Sequence, residues 1–162
     1  MVSGSSKEAK ALLQILAEEA ESIQQFVDLL NLEQVALASG ETDALPEFAE
    51  KKSKLAVTLN KLAGQRSTLL SAQGFSIDRK GVEAWHAKHP TEQSVADTWS
   101  TILTLAAEAR ELNRVNGELI QLRLNVTAKA LQALQAGKNS LDLYGPDGQS
   151  TSTGQRRIDH AV

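Results

Sequence analysis

Two runs of heptad spacing, opposite in charge, constrain this chain more than any other feature. Leu12, Leu16, Glu19, Ile23, Phe26, Leu30, Glu33 and Leu37 recur alternately four and three residues apart, and so do Leu45, Phe48, Lys52, Leu55, Leu59, Leu62, Arg66 and Leu69. That spacing keeps one edge of a helix apolar and asks for a partner helix. The first seam is interrupted by two acids and the second by two bases. If the helices fold back as an antiparallel hairpin, facing residue numbers add to a constant, and 85 serves every layer. Phe26 then meets Leu59, Ile23 meets Leu62, Glu33 faces Lys52 and Glu19 faces Arg66. A seam charge buried alone is costly, whereas opposed charges fix register at little net gain in stability. The rival arrangement lets all four side chains reach outward to water along their aliphatic stems.

Composition agrees with helix over sheet, because aromatic residues are only 4% and proline occurs three times. Ser5 and Ser6 are candidate caps for a first helix to about Ala38, with Gly40 supplying the left-handed residue that ends it. A second helix begins at Thr42 or Leu45, since Pro46 fits only a first turn, and runs to about Gln73. A connector follows, with a short helix near Arg79 to Ala87 whose Val82 and Trp85 can pack on the bundle. Thr91 is the expected cap of a third helix to about Ala136, roughly 65 Å long at 1.5 Å per residue. The expected fold is therefore all-α: a helical hairpin, a short connector helix and a long third helix, as a three-helix bundle or extended coiled coil. Residues 1–137 form the helical domain in this reading, and residues 138–162, rich in Ser, Thr, Gly, Asp and Gln, form a disordered tail.

No chemistry announces itself. A formal charge of −3 with pI near 5.6 leaves no footprint for nucleic acid. No apolar run reaches the roughly 18 residues a membrane span needs, and the opening M-V-S-G-S-S-K lacks a signal-peptide core, so no membrane insertion and a cytoplasmic location are expected. The chain has no cysteine, and His86, His89 and His160 lack the grouping of a metal site, so no metal or other cofactor is expected. Carboxylate pairs such as Glu18-Glu19 and Glu108-Glu111 sit among lysine and arginine in the manner of solvated helix faces. The chain is not expected to be an enzyme.

Two runs are more informative. Asn113, Asn116, Gly117, Leu119 and Ile120 form N-x-x-N-G-x-L-I directly after Glu111-Leu112. The asparagines share one helix face, either for hydrogen bonds between helices with Gly117 admitting a close neighbour, or for binding a partner. Leu141 to Gln149 reads L-D-L-Y-G-P-D-G-Q, in which Tyr144 sits among turn residues as a short docking motif would. Because the third helix outruns the other two, Leu124, Leu131 and Leu134 are expected to lack cover and are the candidate partner-binding residues.

On these runs, and on the second-helix segment from Lys51 or Lys52 through Leu55, Leu59, Leu62, Arg66 and Leu69-Leu70 to Gly74, the chain resembles the FlgN family of flagellar type III export chaperones over nearly its whole length. The resemblance implies a chaperone that holds the two hook-filament junction subunits, keeps them from aggregating and delivers them to the export gate. It also implies that Tyr144, matching the family's tail tyrosine, docks on the cytoplasmic domain of the large export-gate membrane protein. Leu141-Asp142 departs from the family pattern ahead of that tyrosine. The competing reading is a structural helical-bundle adaptor assembling through coiled-coil faces, for which an aromatic turn motif has no use. Self-association through such faces stays open.

Overall fold

The computed structural model describes residues 2–143. Their order is α1 (Val2–Ser39), a 3-10 turn (Thr42–Ala44), α2 (Leu45–Ala72), α3 (Arg79–Lys88) and α4 (Gln93–Leu143), with no strand among the described residues. The described residues separate into two units, one up to Ile120 and one from Gln121 onward.

In the first unit, two glycines stop the long helices. Gly40 takes φ 79° and Gly74 takes φ 77°, a region costly for any side chain. After each, the chain folds back on its own helix: Glu41 N–H donates to the Ala36 carbonyl and Phe75 N–H to the Leu70 carbonyl, both at 2.9 Å. Phe75 then packs against the core. Between α1 and α2 the 3-10 turn leads into a helix whose first turn holds Pro46, where its missing N–H is not needed.

Helix α3 is held at both its ends. The Asp78 carboxylate accepts from Lys80 N–H at 3.0 Å and caps the start. At the other end His89 Nδ1 lies 2.8 Å from the Trp85 carbonyl, which can only accept, so that nitrogen carries the proton, and the two rings stack with centroids 4.1 Å apart. Gly81 permits the tight entry, because a Cβ there would stand 1.7 Å from the Ser76 carbonyl oxygen. Trp85 is fully buried and donates its indole N–H to Gln73 Oε1 at 2.9 Å, tying α3 to the end of α2. The core gathers Leu12 and Leu16 of α1, Leu70 of α2, Val82 and Trp85 of α3, and Val95, Trp99 and Ile102 of α4.

Three boundaries differ from the sequence reading. Helix α1 starts at Val2, ahead of Ser5 and Ser6, because nothing in that stretch breaks a helix and an internal serine costs only a few tenths of a kcal/mol. Thr91 caps nothing: Pro90 and Thr91 form a turn closed by Glu92 N–H on the His89 carbonyl at 3.0 Å, and α4 begins at Gln93. Helix α4 runs through Gly137 to Leu143, so residues 138–143 are helical. One glycine costs a helix about 1 kcal/mol, which stops it only where φ must turn positive.

Candidate functional site

The hairpin register brings two charged layers into the first unit. Lys52 Nζ lies 2.9 Å from Glu33 Oε2 and donates to Glu33 Oε1 at 3.0 Å, while Arg66 Nη1 donates to Glu19 Oε1. All four side chains turn inward, with Glu19 and Glu33 buried and both cations mostly covered, so outward snorkelling does not occur. Phe26 and Leu59 line one open groove of about 420 Å³ together with Trp99 and Ile102.

The two layers are finished differently. Asn116 of α4 is 1% exposed and its Nδ2 donates twice, to the Leu30 carbonyl at 2.8 Å and to Glu33 Oε1 at 3.0 Å. Glu33 therefore serves as the joint between three helices, and its buried charge is compensated by a cation and by an amide donor. Glu19 has less. Its Oε2 is buried without a hydrogen-bond partner, and burial pushes its carboxyl above the usual carboxylate range although Arg66 pulls the other way. Arg66 also spreads over Trp99, with its guanidinium carbon 5.1 Å from the ring centroid.

The asparagine motif thus divides. Asn116 is a hydrogen-bonding strut between helices, whereas Asn113 is exposed. Gly117 is also exposed, and a Cβ added there would meet nothing within 4 Å, so it admits no close neighbour in the protomer. Sequence reasoning left the partner of Asn116 unnamed. The available signal was its position in an otherwise apolar line, four residues after Leu112 and four before Ile120.

Residues 121–139 carry the candidate partner-binding side chains. Leu124 is 58% exposed, Leu131 55% and Leu134 70%, and Leu122 and Val126 are exposed beside them. Five large apolar side chains in water within one short helical stretch exceed the scattered exposure of ordinary surfaces. Tyr144 lies outside the described residues. Among the described residues no group of three His, Asp or Glu could hold a metal ion, and no helix is long and apolar enough to cross a membrane.

A family model described as FlgN protein matches residues 1–152. The chain is 29% identical to the flagella synthesis protein FlgN of Proteus mirabilis over 141 residues, covering 86% of this chain and 89% of the relative. It is 27% identical over 142 residues to the protein of the same name from Salmonella typhimurium, covering 86% and 90% of the two chains. The Yersinia enterocolitica protein is 28% identical over 137 residues, covering 83% and 86%. No solved structure matches the chain.

Proposed function

Since this chain belongs to the FlgN family, we propose that it is a cytoplasmic export chaperone that binds the hook-filament junction subunits, prevents their premature aggregation and delivers them to the flagellar type III export gate. Its named relatives are flagella synthesis proteins, which supports the flagellar setting. The observation that carries the chaperone reading is the exposed row of Leu124, Leu131 and Leu134. A subunit kept from aggregating before secretion would present an amphipathic helical terminus, and an uncovered apolar helix would receive such a segment by the chemistry that joins helices in a bundle.

Co-purification decides the reading. The full chain, co-expressed with each junction subunit, is expected to form a soluble complex and to suppress that subunit's aggregation. Recovery of the chaperone alone, with the subunit aggregating as fast as without it, overturns the proposal. Delivery is assigned to Tyr144, whose ring offers apolar area and one hydrogen bond with few rotamers to freeze, as a releasable contact needs. Tyr144→Ala is expected to leave cargo affinity unchanged and to weaken binding of the loaded chaperone to the soluble domain of the export-gate protein, as read by calorimetry. Equal gate affinity for variant and wild type removes the docking role.

A further inference from the structure

Gly117 has no reason inside its own protomer. It stands within α4, where glycine weakens a helix, and a Cβ added there would meet nothing within 4 Å. Asn113, one turn earlier, is exposed as well. At about 100° per residue, Asn113 and Gly117 fall within about 20° of a line drawn along α4 from Ala106, and exposed Arg110 lies about 40° off it.

That line leads into the open groove of about 420 Å³. Ala106 lines the groove from α4 and Ala63 lines it from α2, while α1 contributes Ile23 and Phe26. Helices α2 and α4 run in opposite directions, since Arg66 meets Trp99 at one level and Lys52 and Asn116 share Glu33 at another. The seven-residue step from Ala106 to Asn113 is therefore matched by the step from Ala63 back to exposed Ala56. Interaxial distance between helices is set by the side chains at the contact, so a helix laid along such walls comes close. It must also bring the large side chains that the alanines lack.

A polar demand accompanies the shape. Glu19, which also lines the groove, is 4% exposed, and its Oε2 has no hydrogen-bond partner among the described residues, whereas Arg66 holds its other oxygen. Glu19 and Arg66 already neutralise each other. A further buried charge would stand unpaired, while a primary amide offers a donor and adds no charge. We propose that the groove between α2 and α4 seats an amphipathic helix of a partner protein, with large aliphatic side chains over Ala63 and Ala106 and a glutamine or asparagine beside Glu19. A second copy fits less well, because two such grooves set face to face would bring alanine against alanine and fill neither. The groove lies wholly within residues up to Ile120, so the proposal depends neither on the exposed leucines beyond it nor on the identity of their cargo.

Fluorescence anisotropy of a labelled synthetic helix titrated with the full chain tests this. The probe carries leucine at three successive seam positions and glutamine at a fourth, and its two controls replace the leucines by alanine or the glutamine by glutamate. Each control is expected to bind at least about tenfold more weakly than the probe. Ala63→Phe and Ala106→Phe fill the groove from either wall and should each weaken the probe at least about tenfold. Gly117→Leu, which favours the helix and crowds the rim, should melt no lower than wild type and still weaken the probe at least about fivefold. Leu131→Ser with Leu134→Ser should leave the probe's affinity unchanged. Equal binding of the probe and either control, or wild-type affinity in the groove-filled variants and in Gly117→Leu, overturns the inference. So does loss of binding in the leucine double variant, or a dimer of the chain whose formation excludes the probe.

Discussion

One helix contains two stretches of similar apolar content and different fates. Within residues 93–120 of α4, Val95, Trp99 and Ile102 are buried and Asn116 is locked by two hydrogen bonds. Within residues 121–139, Leu122, Leu124, Val126, Leu131 and Leu134 stand in water. Helix propensity does not separate the stretches, and neither does the frequency of leucine. The difference lies in whether an apolar side chain has a partner, so apolar periodicity reports a demand for burial and leaves open which chain meets it.

Stability measurements on single variants in the two stretches test that contrast. Trp99→Ala removes a ring packed in the core and is expected to cost about 3–5 kcal/mol, whereas Leu134→Ser, on the same helix, should stay within about 0.5 kcal/mol. Urea denaturation of the two variants compares them directly. A large loss from Leu134→Ser would mean that this leucine is covered in solution, and the contrast would fail.

A smaller contrast separates the paired asparagines. Asn116→Ala leaves Glu33 short of a donor and uncovers the Leu30 carbonyl, at an expected cost of about 1–3 kcal/mol. Asn113→Ala, at an exposed position, should cost less than about 0.5 kcal/mol. Equal effects would show that Asn116 is not the strut its geometry describes.

The smallest effect expected in the bundle concerns Glu19, whose carboxyl is raised chiefly by burial. A group raised in the folded state favours folding most while it is protonated, and that contribution is lost as pH rises through its folded-state value. Glu19→Gln keeps an acceptor for Arg66 without the buried charge. Its advantage over wild type should therefore grow as pH climbs through the raised carboxyl's titration range and vanish in acid, where the wild-type carboxyl is protonated in both states. A variant that loses ground as pH rises contradicts the dominance of burial over the Arg66 pairing.

Much of the bundle was legible from spacing. The two seams and their opposite charges specify an antiparallel register, and Glu33 with Lys52 and Glu19 with Arg66 occupy that register in the structure. Gly40 and Gly74 were readable as stops because positive φ at a helix end selects glycine. Gly137 looked the same in sequence and is helical, since a glycine is only permitted to end a helix and the following residues can carry it on. Gly81 gave no signal at all: its reason is the Ser76 carbonyl of the preceding loop, and the backbone's path there is not a property of any short window. The exposed leucines were anticipated from the greater length of the third helix, which is α4 in the structure.

The central claim is that residues 121–139 are a receiving surface for an unsecreted subunit, and calorimetric titration of a purified junction subunit into the full chain tests it most directly. Wild type is compared with the double variant Leu131→Ser and Leu134→Ser, and both proteins are first melted to establish equal folding. The account predicts that the variant melts as wild type does and binds at least about tenfold more weakly, as loss of two apolar anchors requires. Wild-type affinity in a variant with both leucines replaced would contradict it and move the binding surface elsewhere on the molecule.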